Sequence, residues 1–362
     1  MKVIEFMPQL GSGGAERFVV DLCNILAEKS EVILVVLFPL STHGYFRSEL
    51  YDSVKVISLN KKKGIDLRCL WKFWGVVKRE KPDVVHLHLY AFFYALFSIL
   101  FSRKVKYIHT IHNDAFKEAE GSFWLFIKKI FFASKKVIPI TISKESQKSF
   151  FEAYSLNSYL IPNGRFLSIP DKISSEVKKE INFYRKTSNT KIILNVARVE
   201  SQKNQILLGN CIKSLSEEGY DICLLIIGKK TDKEIVTEIE KLRSDRIKIL
   251  GERKHIVEYM LLADAFCLSS IHEGMPISLI EALNVGLIPI CTPVGGVVDM
   301  ISDGDNGFLS TSITEKDLCI AFKRFLRMSE NECLKMKKKV YASASYFSME
   351  KCVDSYLHIM TL

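Results

Sequence analysis

Arg198 and Lys203 lie five residues apart in Arg198-Val199-Glu200-Ser201-Gln202-Lys203-Asn204, directly after the apolar run Leu194-Asn195-Val196. Two cations at the carboxyl edge of a strand, the second at the start of a helix, can clamp a diphosphate. A lysine at a helix N-terminus faces the positive end of the helix dipole and is favoured there only when an anion is present. The pair therefore reads as an anion site in preference to solvated surface charge. A second constellation is His272-Glu273-Gly274-Met275-Pro276-Ile277-Ser278-Leu279-Ile280-Glu281-Ala282-Leu283. Glu273 falls in the loop before a helix, where Gly274 and Pro276 shape its approach, and Glu281 falls inside that helix. Carboxylates flanking a helix N-terminus can hold vicinal hydroxyls while exposed amides hold phosphate, so a ligand bearing both groups fits. Ser278 to Glu281 also matches the S-x-x-E capping box, which leaves Glu281 open to a structural reading.

Two further groups carry chemistry. Gly11-Ser12-Gly13-Gly14-Ala15-Glu16 follows a first strand and opens a helix, where backbone N–H groups favour anions. The third glycine of a dinucleotide fingerprint would fall at Glu16, and no Walker lysine is present, so the loop is an anion cradle or a bland tight turn. His86-Leu87-His88, with His109 and His112, could be a metal cluster at strand ends. The H-x-H spacing is read as alternating between strand faces, and no acidic residue completes the group within it, so no metal is expected.

The elements that must position these residues are legible as alternation. Short β-branched runs alternate with segments of helical period, the pattern of parallel sheets flanked by helices. In the first half strands are expected at 3–7, 32–38, 54–59, 84–87, 107–110, 137–142 and 160–161. After the turn Ile161-Pro162-Asn163-Gly164 and a polar stretch from Ser168 to Asn189, the alternation restarts. Strands follow at 192–196, 223–227, 247–250, 265–268 and 288–291, and the chain ends in helical sequence from Glu315 to Leu362. This is an α/β chain of two doubly wound, Rossmann-like domains, 1–165 and 166–345, expected to face a cleft. Residues 346–362 form a helix returning to the first domain. Ligands in such sheets bind beyond the carboxyl ends of the strands.

Composition narrows the class. Apolar residues at 48% and charged residues at 25% are globular averages and exclude a disordered or collagen-like chain. Nine scattered cysteines with no CxxC pair read as reduced core thiols in a cytoplasm. Met1-Lys2-Val3-Ile4-Glu5-Phe6 carries an acid and no apolar core region, so it reads as a strand and not as a secretion signal. The segment from Leu87 to Phe101 is almost continuously apolar but falls short of the ~18 to 20 residues of a spanning helix. A buried helix after a strand is expected there.

The run Glu273-x7-Glu281 within E-G-M-P-I-S-L-I-E-A-L resembles the E-x7-E signature of retaining glycosyltransferases of family 4, which have the GT-B fold. The resemblance extends over nearly the whole chain: G-G-A-E-R, T-I-H-N at Thr110 to Asn113, I-P-N-G, A-R-V-E-S-Q-K-N, L-G-E-R at Leu250 to Arg253, and G-G-V-V-D-M-I-S-D-G-D-N-G-F-L. One departure is Lys203-Asn204, where the family commonly has lysine-glycine. The resemblance implies that Arg198 and Lys203 neutralise the diphosphate of a nucleotide-sugar donor and that Glu281 accepts bonds from ribose hydroxyls. Glu273 would approach the transferred sugar, with amides around Gly274, Met275, Pro276 and Ile277 orienting it. Leu250 to Arg253 would border the base, Gly13 and Gly14 would meet the phosphates, and His112 would sit near the reacting carbon. The implied activity is retaining transfer of a hexose or N-acetylhexosamine, from a UDP-sugar by family frequency, to a lipid-linked saccharide in bacterial cell-surface polysaccharide synthesis, capsule or O-antigen. Retention by front-face attack or through a covalent intermediate is left open. No cofactor is expected, and transfer is expected to be metal-independent, because the two cations can do what a metal does in other transferases.

The charge is asymmetric. Of the formal +10, residues 1–165 hold 24 basic and 15 acidic side chains, a net +9. Such a bias suggests nucleic acid or an anionic membrane. No nucleic-acid recognition motif is visible, which sets a nucleotide- or nucleic-acid-binding module without transferase activity as the alternative reading and no nucleic-acid partner as the expectation. Trp124 to Phe132 interleaves aromatic residues with Lys128 and Lys129, a pattern suited to a lipid interface and equally to an ordinary amphipathic helix. Cytoplasmic, peripheral docking on the inner membrane face is expected, with a polyprenyl-diphosphate-linked acceptor.

Overall fold

The computed structural model describes residues 1–119, 121–242 and 244–362. They divide into two compact units, residues 1–166 with 347–362, and residues 167–346. The first unit holds strands β1 (Lys2–Met7), β2 (Glu31–Val36), β3 (Lys55–Ser58), β4 (Val84–His88), β5 (Lys106–Ile111), β6 (Ile138–Thr141) and β7 (Tyr159–Leu160). All pair in parallel, in the order β3-β2-β1-β4-β5-β6-β7. Around them run α1 (Gly14–Leu26), α2 (Leu40–His43), α3 (Arg68–Glu80), α4 (Ala91–Phe101), α5 (Ala115–Ala119), α6 (Ser122–Ala133) and α7 (Lys144–Tyr154).

The second unit repeats the plan with β8 (Lys191–Val196), β9 (Ile222–Ile227), β10 (Ile247–Gly251), β11 (Ala265–Leu268), β12 (Ile288–Cys291) and β13 (Phe308–Leu309). Their order is β10-β9-β8-β11-β12-β13, again all parallel. Its helices are α8 (Ser175–Tyr184), α9 (Gln205–Glu217), α10 (Lys233–Lys241), α11 (Ile256–Leu262), α12 (Ile277–Asn284), α13 (Val297–Met300), α14 (Glu315–Leu326) and α15 (Glu330–Ala344). In each sheet the winding reverses once, between β1 and β4 and between β8 and β11, which is where a doubly wound sheet opens its ligand crevice.

Burial on both faces explains the strand sequences. Val3, Ile4, Phe6 and Met7 of β1 and Ile192, Ile193 and Leu194 of β8 have no exposed surface, so these strands read as continuous apolar runs. Helices bury one stripe each: α1 covers its sheet with Phe18, Val19, Leu22, Cys23 and Leu26. All nine cysteines are free, and eight are buried.

The last helix, α16 (Met349–Thr361), belongs to the first unit. Cys352, Val353, Tyr356, Ile359 and Met360 are its buried stripe, and it packs against α1. Arg165 N–H donates to Phe347 O at 3.0 Å, and Arg165 Nη1 pairs with Asp21 Oδ2 of α1 at 2.6 Å, which ties the Ile161–Gly164 turn to this return.

Several expectations change. The polar stretch contains α8, whose buried residues are Val177 and Ile181, one turn apart. β13 is only two residues long, too short to show a period, and is held by pairing Phe308 with Ile290. The helical tail is three helices, broken by serine caps at Ser329 and Ser348. The helix after β4 is not buried throughout, because Leu100 and Phe101 are exposed. Among the described residues no helix is long and apolar enough to cross a membrane.

Tyr356 is fully buried, with its ring 4.9 Å from that of His86. Tyr356→Ala is expected to cost about 3 to 5 kcal/mol, read as a lowered urea midpoint. Tyr341→Ala, at an exposed ring on α15, is expected to stay within about 0.5 kcal/mol. Equal midpoints for the two variants would contradict a docked α16.

Candidate active site

In the second unit the carboxyl edges of β8 and β11 carry the chemistry. The chain leaves β8 through Arg198 and a single 3-10 turn, Ser201–Lys203, before α9 begins. Asn204 joins that turn to α9 with φ 51°, in the left-handed region. Glycine is the usual residue for that conformation and asparagine the next best tolerated, which accounts for asparagine after Lys203. Ser269 Oγ donates to Lys203 O at 2.9 Å and to Asn204 O at 3.1 Å, fixing the turn to the end of β11.

Lys203 Nζ then reaches Glu273, donating to Oε1 at 2.7 Å and Oε2 at 3.0 Å. Ser270 Oγ donates to the same Oε1 at 2.5 Å, and Glu273 is buried. The loop carrying Glu273 is held from behind by Gly295. A Cβ there would fall 1.7 Å from Glu273 O, and its φ of 54° also favours glycine. Gly296 N–H donates to Gly274 O at 2.7 Å. Past Gly274, Met275 and Pro276 are buried and α12 opens at Ile277. Arg198 lies exposed, with Nη2 3.0 Å from Glu200 Oε1.

The structure thus brings Lys203, Glu273 and the start of α12 together. Glu281 lies half-buried in the second turn of α12. The capping box does not form: Pro276 is the N-cap and Ser278 sits inside the helix, because the proline's extended backbone already starts it. Arg253 is committed elsewhere. Its Nη2 and Nε hold Glu180 of α8 at 2.8 and 3.1 Å, and Nη1 donates to Leu250 O, so only the Leu250–Arg253 backbone is left to border a base. One Asp-x-Asp spacing occurs, at Asp303-Gly304-Asp305, and both of its carboxylates are paired. Asp303 pairs with Arg324 at 2.9 Å and Asp305 with Lys339 at 2.5 Å.

In the first unit Gly13 is the N-cap of α1 and Gly14 its first residue. Glu16 folds back over the loop, so that a Cβ at Gly13 would lie 2.3 Å from its Oε2. The loop already has an internal carboxylate beside the amides expected to meet phosphate.

His112 follows β5 and is 9% exposed. Its Nε2 lies 2.9 Å from His88 Nδ1, and its backbone N–H donates to Glu118 Oε2 of α5 at 2.7 Å. His88 Nε2 contacts Glu5 Oε2 at 2.8 Å, and His86 Nδ1 lies 2.8 Å from the same oxygen. This corrects the expected alternation of faces: residues two apart on a strand share a face, and Glu5 on β1, paired directly with His86 across the ladder, supplies an acid from outside the motif. Ligand-type atoms of Glu5, His86 and His88 lie within 4.8 Å of one another. Burial pushes the Glu5 carboxyl up, but His86 and His88 outweigh it and hold it at about 2. Burial, reinforced by the neighbouring histidines, holds His88 at about 4 and His112 at about 3. Glu5 was missed as a site residue; the available signal was an acid in the middle of an apolar strand.

Comparison with known proteins places this geometry. Residues 12–165 match the family model Glycosyltransferase Family 4, and residues 176–343 match Glycosyl transferases group 1. An α-1,4-N-acetyl-D-galactosaminyltransferase of Campylobacter jejuni, named for a diNAcBac-PP-undecaprenol-linked acceptor, is 24% identical over 322 residues, covering 85% of this chain and 84% of its own. An Escherichia coli UDP-Gal:α-D-GlcNAc-diphosphoundecaprenol α-1,3-galactosyltransferase is 24% identical over 318 residues, covering 83% and 78%. The solved structure of Anabaena HepE with UDP and glucose superposes with a TM-score of 0.83 at 19% identity, over 100% of this chain and 99% of that one. Matched along both units by family and by fold, the chain belongs to family 4 of the glycosyltransferases and has the GT-B fold.

Proposed function

We propose that this protein transfers a hexose or N-acetylhexosamine from a UDP-sugar to a polyprenyl-diphosphate-linked saccharide, with retention of anomeric configuration and without a metal, in bacterial cell-surface polysaccharide synthesis. The observation that carries the reading is the Lys203–Glu273 pair beside the start of α12. A cation and an acid at the carboxyl edge of one sheet match the two ends of a nucleotide-sugar's reacting bond. The C1–O bond to the diphosphate breaks with its electron pair leaving on the phosphate oxygen, and the acceptor hydroxyl forms the new bond and loses its proton. Lys203 and Arg198 stabilise the leaving charge, Glu273 and the Gly274–Ile277 amides hold the sugar, and Glu281 takes the ribose. The acceptor class is supported by the undecaprenol-linked acceptors in the names of the relatives from Campylobacter jejuni and Escherichia coli.

Docking of the first unit on the inner face of the cytoplasmic membrane is supported by its aromatic surface. Rings of α3, α4 and α6 run together, with Trp71 to Phe97 at 4.8 Å, Trp74 to Phe101 at 5.8 Å and Phe93 to Trp124 at 5.0 Å. Phe123, Phe126 and Ile130 project from α6, and Lys129, Lys135 and Lys136 are exposed. Lys128 is not part of that surface. It is 5% exposed, with Nζ 3.3 Å from Glu118 O.

Arg198→Ala and Lys203→Ala are each expected to lower turnover more than tenfold, a loss above ~1.4 kcal/mol of charge stabilisation, with EDTA without effect. Activity abolished by chelator and restored by manganese would overturn the metal-free route. Glu281→Ala should weaken donor binding in calorimetry; unchanged affinity would remove it from the ribose site. Replacing Lys129, Lys135 and Lys136 with Gln should release the protein from anionic vesicles, at ~1 kcal/mol each, as should salt. Equal sedimentation with neutral and anionic vesicles, or with neither, would refute electrostatic docking.

A further inference from the structure

Glu5 has no exposed surface and sits in the central strand of the first sheet. An ionised carboxylate is an acceptor only, so each nitrogen that touches it must carry hydrogen. His88 Nε2, 2.8 Å from Oε2, is therefore an N–H donor. A neutral imidazole carries one proton, which leaves His88 Nδ1 bare and makes it an acceptor. The atom 2.9 Å from it, His112 Nε2, must in turn be the donor. His112 is then left with a bare Nδ1.

His86 Nδ1 lies 2.8 Å from the same carboxylate oxygen, and its Nε2 lies 2.7 Å from Thr110 Oγ1, which is itself 2.8 Å from the Tyr356 hydroxyl. The direction of the line from Glu5 to His112 is set by the charge on Glu5. The turn after His88 is held as tightly: Leu89 has φ 54°, a left-handed conformation a bulky residue adopts only when its surroundings impose it.

We propose that Glu5 and His88 are positioning residues that lock the tautomer of His112, so that His112 offers an unprotonated Nδ1 as a hydrogen-bond acceptor to a hydroxyl of a ligand bound by the first unit. The ligand class rests on the function proposed above. The tautomer does not. His112 thereby orients a hydroxyl and is not a proton donor to the leaving group. The close approach of Glu5, His86 and His88 would also suit a metal ion, but the His88 Nε2 proton is already directed at the Glu5 carboxylate and must be shed for a metal to enter.

The groups facing this network are His109 of β5, Glu118 of α5, Lys128 of α6, Cys23 of α1 and Tyr356 of α16. Burial pulls His109 down, and Glu118, pushed up by burial but held by His109 and Lys128, stays at about 2.

The test is nitrogen-15 NMR of the full chain labelled at histidine, with signals assigned by single substitutions. His88 and His112 are expected as Nε2–H tautomers, unchanged from pH 5.5 to 8. Glu5→Gln, which can donate as well as accept, should mix the His88 and His112 tautomers and lower kcat about tenfold or more while the donor KM stays within about threefold. His112 protonated on Nδ1 or on both nitrogens in the wild type would overturn the proposal, whether or not the variant folds. So would a folded Glu5→Gln chain with the wild-type His112 signal and kcat, or zinc shifting the His86 and His88 signals. A chain that moves no sugar but shows these tautomers would refute the transferase reading and leave the relay intact.

Discussion

A lysine and a glutamate held against each other at the mouth of a parallel sheet impose the order seen in the second unit. Lys203 and Glu273 come from different strand ends, and each offsets the several kcal/mol of desolvation that an unpaired buried ion would cost. Everything around them keeps the pair in register. Ser269 anchors the turn that carries Lys203, Ser270 bonds the carboxylate, and Thr292 Oγ1 at the end of β12 holds Ser270 O at 2.7 Å. Gly295 lets the next loop approach the Glu273 carbonyl more closely than any side chain would permit. A diphosphate entering here meets a lysine whose charge is already partly desolvated and oriented, the condition under which an ion contributes most to a developing negative charge.

The first unit solves a related problem with opposite polarity. Its central carboxylate, Glu5, is compensated by imidazoles and not by a cation, whereas Glu118, which accepts from the His112 backbone, has the Lys128 ammonium beside it. Neutral imidazole, like a hydroxyl, can pass a hydrogen-bond direction along a chain of buried groups while adding no charge of its own. The returning helix α16 enters this arrangement through the Tyr356 hydroxyl, which joins a packing element to the polar interior.

Much of this was legible in the sequence, for identifiable reasons. Strands buried on both faces announce themselves as apolar runs, as β2 and β9 do, whereas β13, two residues long, was not visible. The E-x7-E spacing located Glu273 and Glu281. What spacing could not show was partnership at a distance: Lys203 with Glu273, seventy residues on, or Glu5 with His88, eighty-three residues on. Local motifs misled where a short-range rule had a stronger competitor. The S-x-x-E match at Ser278 lost to a proline that starts the helix two residues earlier, and Arg253, apparently free to meet a base, is held by Glu180 from a helix hidden in polar sequence.

The basic excess of the first unit takes on a different meaning once Lys128 is placed. Its ammonium lies inside, against Glu118 O and 5.6 Å from the centre of the Phe92 ring, where it supports the carboxylate that holds the His112 backbone. Lys129, the next residue, faces solvent. Adjacent lysines on one helix thus do separate physical work, one inside the fold and one in the external field. The buried network around His112 contains carboxylates and imidazoles, so the positive field of this unit arises on its surface. A field of that kind acts on approach and orientation at a distance set by the Debye length, not on bond breaking at the site.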